Sequence, residues 1–358
     1  MRVTVAIVVE SVNDNVRESI KHLLGMDFTD FEILLLLSTP SDESFPQTRF
    51  IVRPDLAGNP ALRRDLVITE AEGEILAFLD DDAYPSPSWL DSALPHFDDP
   101  RVAAVGGPGV TPPEDDWRRQ VSGWVHTSPV GAGSFSFRTK ADKARQVDDF
   151  PSMNLLVRKS DFALIGGFDS NFWPGEDTKL CLDLTYKINK KIIYEPRALV
   201  YHHRRPIFKA HLVQVGRYGL HRGYFARVLP KTSRRVAYFL PSVLVLSFGI
   251  GLAAVLLAWV MGIKYILAGL LNIPLIYVSF VSPYFLLLLV NGLWIWKASG
   301  SFKAGFWSVP AVGLTHFWYG IQFLRGLLSG KLMKYNNFSK PAGVVKKLVE
   351  VPAFKTQG

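Results

Sequence analysis

Hydrophobic positions along the chain fall into three regimes. Over roughly the first hundred residues, short apolar runs alternate with stretches of helical spacing. Residues 3–9, 32–37 and 75–79 are mostly apolar runs of strand character, with Thr4 and Glu32 as their polar members, and 49–52 is a shorter one. Between them, residues 15–24 and 61–71 carry helical spacing, and Gly73 breaks the chain before the run at Ile75. Strands separated by single helices predict an α/β domain with a mostly parallel sheet and helices on its faces. Ligands of such sheets gather beyond the carboxyl ends of the strands, so Glu10 to Asn13, the 38–44 loop and Asp80–Asp82 are expected on one rim.

In the second regime, residues 106–150 show few periodic signals and are rich in Gly and Pro, which predicts loops. Trp117 and Trp124 lie there, either as packing residues on the sheet or as platforms for a sugar. A strand follows at 154–158, then a helix ended by Gly166-Gly167, where the glycines serve as a helix cap or let backbone approach a ligand. An amphipathic helix is expected from Glu176, with Leu180 and Leu184 on one face. Residues 191–201 read as two short strands broken at Pro196.

The third regime is continuously apolar. No charge occurs over 236–262 or over 265–296, and each stretch exceeds the ~20 apolar residues that span a bilayer. A third candidate, 305–323, carries Pro310 and His316, with Trp307 and Trp318 as interfacial anchors. Two or three crossings are therefore open: the third segment lies in the interface, or 265–296 is a hairpin broken at Pro283.

Charge sharpens this division. Residues 1–195 hold 31 of the 32 acidic residues against 20 basic ones, whereas the remainder holds 20 basic residues and one acid, Glu350. Such asymmetry points to an anionic partner surface for the second half, and the apolar segments favour membrane over nucleic acid. Arg234 and Arg235 ahead of the first span predict a cytoplasmic catalytic domain on a multi-pass cell-membrane protein, and the tail lysines from Lys331 to Lys347 prefer the same side. No intramembrane acid of the kind pumps and channels use is present. A single cysteine, Cys181, excludes an intramolecular disulfide framework. The opening residues are too short and too soon charged for a signal peptide.

The chemistry concentrates where the apolar run 75–79 meets Asp80-Asp81-Asp82. Three adjacent carboxylates repel one another and resist burial unless a cation offsets them. Carboxylates at a strand end suit Mg²⁺ or Mn²⁺ shared with a substrate phosphate, and a solvated acidic turn is the bland alternative. Neither a Walker nor a dinucleotide fingerprint occurs.

Residues 3–13, the run Asn59-Pro60-Ala61-Leu62-Arg63-Arg64-Asp65, the stretch 78–85 and the later Gly175-Glu176-Asp177 together resemble the family 2 glycosyltransferases of GT-A fold, over roughly residues 1–235. The resemblance implies a nucleotide-sugar donor, a divalent metal and inversion at the anomeric carbon. It implies that Asp82 and His202 hold the metal, that Asp80 contacts the ribose, and that Asp177 is the general base, with Glu176 orienting the acceptor or supporting its loop. The expected donor set is Glu10, Asn13, Arg64, Asp65, Asp80, Asp81, Arg217 and Arg222. Strand alternation favours His202 over His203, because only one of two successive residues faces the site.

Two departures stand out. The second strand runs into Ser38-Thr39-Pro40-Ser41-Asp42 instead of the family's acidic pair, so the base contact falls to Ser38, Thr39, Asp42 or backbone. Gln214-Val215-Gly216-Arg217-Tyr218 resembles a processive-synthase signature with tyrosine in place of tryptophan, and its continuation is more similar to non-processive exopolysaccharide-assembly members. Expected, then, are a catalytic domain over 1–205, a basic interfacial segment over 206–235, membrane helices over 236–328 and a basic tail over 329–358. The expected activity is sugar transfer to a lipid-linked or otherwise membrane-associated glycan acceptor. A processive polysaccharide synthase and a non-catalytic membrane scaffold are the alternatives.

Overall fold

The computed structural model describes residues 2–168, 172, 175–263, 265–266 and 271–330. Trp173, Pro174 and the tail lysines singled out above lie outside them. Two compact units emerge, one from residues 2–112 and 137–203, the other from 113–136 and 204–330. Residues 113–136 thus group with the helices that follow the expected catalytic span.

The first unit is built on an eight-stranded sheet. Its strands are β1 (Val3–Val9), β2 (Phe31–Leu37), β3 (Thr48–Val52), β4 (Ile75–Asp80), β6 (Val102–Gly106), β8 (Arg145–Val147), β9 (Asn154–Arg158) and β10 (Lys191–Tyr194), in the order β3-β2-β1-β4-β9-β6-β10-β8. β3, β2, β1 and β4 run parallel, whereas β9 is inserted antiparallel to both β4 and β6. β2 is buried at every position, which is why its run is apolar from Ile33 on and not alternating, and its one polar residue, Glu32, accepts from the Thr4 hydroxyl at 2.7 Å. The helix α1 (Asp14–Leu24) buries Val16, Ile20 and Leu23, spaced at three and four residues, against the sheet. The helical stretch expected over 61–71 is two short pieces, α2 (Pro60–Asp65) and a turn at Val67–Glu70, interrupted at Leu66. A smaller sheet aligns β5 (Ala83–Pro85), β11 (Val200–His202) and β7 (Gly109–Val110).

The second unit is helical. The expected loop region contains α3 (Trp117–Thr127), whose Trp117, Val121, Trp124 and Val125 fall on one face. Trp117 and Trp124 pack on Trp307 and Trp294, with ring centroids 6.1 Å apart in each pair, and not on the sheet. α4 (Lys209–Val228) is followed by α5 (Val236–Val260), α6 (Ile273–Ser299) and α7 (Phe302–Leu328). Among the described residues, α5 and α6 are the two helices long and apolar enough to cross a membrane. α4 is no free amphipathic surface helix. Its Gly216, Gly219 and Gly223 lie on α7 so closely that a Cβ at Gly219 would sit 2.7 Å from the Tyr319 carbonyl oxygen.

Candidate active site

The loop between β4 and β5 sets the geometry. β4 carries its apolar side chains into the core and ends at Asp80, which is part-exposed, while Asp82 is buried at 7% exposure. β5 then pairs antiparallel with β11 in a register that sets Ala83 opposite His202. This brings His202 Nε2 to 3.0 Å from Asp82 Oδ1, across 120 positions of sequence. His203 turns the other way, its Nε2 lying 2.9 Å from Glu18 Oε2, while its backbone N–H donates to the Asp82 carbonyl at 2.9 Å. Asp80, Asp82 and His202 each offer one ligand atom, all within 4.8 Å of one another. Two carboxylates and an imidazole suit a divalent cation that takes its other ligands from phosphate or water.

Arg64 ties this cluster to the second acidic motif. Its Nη2 donates to Asp80 Oδ1 at 3.0 Å and its Nη1 to Glu176 Oε1 at 2.8 Å. Glu176, at 4% exposure, also accepts from the Gly175 N–H at 2.9 Å. Asp177, less buried, accepts from the Thr178 N–H at 2.7 Å, and both residues open the helix Glu176–Leu182. Carboxylates there also complement the positive end of a helix. Arg64 therefore ties the Asp80–Asp82–His202 cluster and Glu176 into one assembly.

Around Glu10, at the end of β1, a second group forms. The Ser38 hydroxyl and Arg63 both donate to its carboxylate, and the Gly58 N–H lies 3.4 Å away. Burial pushes the Glu10 pKa up, but the Ser38 hydroxyl and Arg63 outweigh it and hold Glu10 below the usual carboxylate range. Glu10, Gly58, Pro60, Arg63 and Asp81, with Val8 and Val9, line a cavity of about 270 Å³.

Arg63 is the residue sequence reasoning missed. At 2% exposure it donates to the carbonyls of Val9, at 2.6 Å, and Leu36, and to Ser38 Oγ at 3.0 Å. Burial lowers its pKa and Glu10 opposes that shift. The available signal is its neighbour: two adjacent arginines on a short helix point in different directions, Arg64 to Asp80 and Glu176 and Arg63 to Glu10 and the β1 and β2 carbonyls.

Other expected residues have local duties. Asn13 caps α1, its Oδ1 accepting from the Val16 N–H at 3.0 Å. Asp65, at 1% exposure, accepts the Phe168 N–H at 2.7 Å. Gly166 and Gly167 adopt φ of 89° and 74°, and a Cβ on Gly167 would collide with the Asp65 carboxylate. The glycine pair thus ends a helix and admits an internal side chain. Arg217 and Arg222 lie on α4 in the helical unit. There Arg222 stacks over Tyr238 at 4.5 Å and donates to Ser233 Oγ at 3.3 Å.

Comparison with known proteins agrees with this geometry. Over 160 residues the chain is 31% identical to proteins named pre-mycofactocin glycosyltransferase from two Mycobacterium tuberculosis strains, CDC 1551 / Oshkosh and ATCC 25618 / H37Rv. That match covers 45% of this chain and spans about a third of the length of those relatives (33%). The fold is shared with a mannosyltransferase from Pyrobaculum calidifontis, solved in complex with GDP-Man and Mn²⁺, at a TM-score of 0.54 and 17% identity over 88% of this chain and 87% of that one. Residues 75–297, from the strand bearing the aspartates through most of α6, match the glycosyl transferase family group 2, and the chain belongs to that family.

Proposed function

We propose that the chain transfers a sugar from a nucleoside-diphosphate donor to a membrane-associated glycan acceptor, by direct displacement with inversion at the anomeric carbon. The observation that carries this reading is the convergence of Asp80, Asp82 and His202 beside the Arg64 bridge to Glu176. Asp82 and His202 would hold Mg²⁺ or Mn²⁺, the latter being the ion of the mannosyltransferase complex. Bound there, the cation offsets charge that develops on the departing diphosphate.

The chain's own residues supply the rest. Asp177 takes the proton of the attacking acceptor hydroxyl, while Glu176, held by Arg64, fixes the helix start that carries Asp177. Asp80 accepts from the donor's ribose hydroxyls. The cavity around Glu10, Arg63 and Asp81 receives the nucleobase, with the Glu10 carboxylate serving as a hydrogen-bond acceptor. α5 and α6 anchor the chain in the cell membrane with its catalytic unit in the cytoplasm, which supplies a lipid-linked acceptor at the same surface.

The test is a screen of nucleotide sugars against the purified full chain, with lipid extract as acceptor and Mn²⁺ or excess chelator in parallel. Metal-dependent sugar transfer into the lipid fraction is expected. Transfer that chelator leaves intact would contradict the metal assignment, and no turnover of any donor would contradict the catalytic one.

A further inference from the structure

Two helices can cross a bilayer, and what the third does follows from its contacts. α5 runs away from Arg234 and Arg235, and α6 returns to end at Lys297 and Ser299. In a spanning hairpin, the start of α5 and the end of α6 therefore share one face, and Val260 and Ile273 share the other. Both ends of α7 meet the first of these faces. Near its start, Gly305 lies on Gly292 and Trp296 of α6, so closely that a Cβ would be 2.7 Å from the Gly292 carbonyl oxygen. Near its end, the Gly320 carbonyl accepts from Ser242 Oγ at 3.1 Å, and Phe323 packs edge-on to Phe239 at 4.8 Å, both in the first two turns of α5. Only its middle reaches further in, where His316 Nδ1 meets the Tyr284 hydroxyl at 3.0 Å and Phe317 meets Phe248 at 5.2 Å. A third crossing would carry its end toward Val260, some ~37 Å along a 25-residue helix.

A second observation is independent of these contacts. The last turns of α7 are locked along α4: a Cβ on Gly223 would overlap the Phe323 carbonyl, and one on Gly326 would overlap the Leu220 carbonyl. α4 carries Lys209, Arg217, Arg222 and Arg227 and no acid. Drawing it into hydrocarbon with α7 would bury these charges near the bilayer centre with no acid on α4 to offset them, which is strongly unfavourable. α7 must stay at the depth α4 tolerates.

We infer that α7 does not cross the membrane: with α4 it is confined to the leaflet on the side where α5 begins, both its ends at that face, and its partner is the anionic lipid surface of that leaflet. The inference rests on the membrane reading proposed above. It makes two crossings, and it returns the chain after Leu328 to the face from which it entered.

The experiment uses the full chain in sealed membrane vesicles of both orientations and a membrane-impermeant maleimide. Single cysteines are introduced as Lys231→Cys before α5, Met261→Cys between the spans and Gly330→Cys after α7. Met261 is exposed, and a Cβ on Gly330 meets nothing within 4 Å. Cys181 remains in place, because it is fully buried and burial pushes its thiol well above the ordinary range. Lys231→Cys and Gly330→Cys should react from the same side and Met261→Cys from the opposite side. Reaction of Gly330→Cys only from the side of Met261→Cys would overturn the inference and leave the membrane reading standing. Reaction of all three from one side would overturn both.

Discussion

The two units handle buried polarity differently, most clearly in the sheet unit's site and in the helices after residue 204. In the sheet unit it is ionic and paired: Arg64 spans Asp80 and Glu176, Arg63 meets Glu10, and Arg138 meets Asp149. From residue 204 to 330 there is no carboxylate at all, and several buried polar groups there are bonded in neutral sets. His211 lies between Ser122 Oγ at 2.8 Å and Thr315 Oγ1 at 2.9 Å, and Asn291 reaches Ser128. Buried ion pairs remain costly to form and are retained where charge is to be handled, whereas a helical unit beside hydrocarbon gains from neutral ties and close backbone contact. The difference teaches that charged side chains are concentrated in the sheet unit, where the proposed donor site lies, while the helices after residue 204 are tied by close backbone contacts and neutral hydrogen bonds.

The sharpest way to break this contrast is at Asp177. Asp177→Asn keeps the shape of the side chain but cannot accept a proton, so turnover should fall by ~10²–10⁴ with donor affinity retained. Near-normal turnover in a steady-state assay would remove Asp177 as the base. A smaller effect is expected at Arg64. Arg64→Gln strands the nearly buried Glu176 without its cation and should destabilise the sheet unit by about 3 kcal/mol, read by denaturant unfolding of the full chain. Unchanged stability would mean that the Arg64 bridge does not hold the two motifs together.

In the helical unit the corresponding perturbation is steric. Gly223→Ala inserts a methyl group into the α4–α7 seam and should cost ~1–3 kcal/mol in thermal unfolding. Gly249→Ala, where a Cβ meets nothing within 4 Å, serves as the control and should change stability by less than about 0.5 kcal/mol. Equal effects at the two glycines would show that the seam is not a tight contact.

The smallest effect expected is a pH dependence. Burial, reinforced by Arg204, lowers the His211 pKa from 6.5 to about 4. The unfolded state then binds a proton that the folded state refuses, so stability should fall as pH drops from about 6.5 through about 4. His211→Gln should flatten that part of the profile. An unaltered slope would assign the acid sensitivity elsewhere.

Legibility in the sequence follows the same division. β1, β2 and β4 were readable because strands buried on both faces are apolar at nearly every position. The insertion of β9 between β4 and β6 was not readable, since strand order depends on pairings that a local pattern does not record. α3 is masked in the sequence although Trp117, Val121, Trp124 and Val125 keep helical spacing, because Gly123 and the Pro-rich stretch before it break up the pattern. The aspartates and His202 were found through strand ends and motif order. Arg63 was overlooked because a buried arginine announces itself only through the carbonyls it meets. The α4–α7 seam was hidden for a similar reason, since glycine has no side chain to pattern.

The central claim is that Asp82 and His202, 120 positions apart, share one ion with the donor diphosphate. Titration of nucleoside diphosphate into the full chain, with and without Mn²⁺, tests it most directly in the native protein and in Asp82→Ala, His202→Ala and the double variant. Metal and nucleotide should each bind weakly alone and tightly together. Each single variant should abolish that coupling, and the double variant should lose less than the sum, by about 0.5–3 kcal/mol, as partners in one site do. Nucleotide affinity unchanged by excess chelator, or strictly additive losses in the double variant, would contradict the shared-ion account.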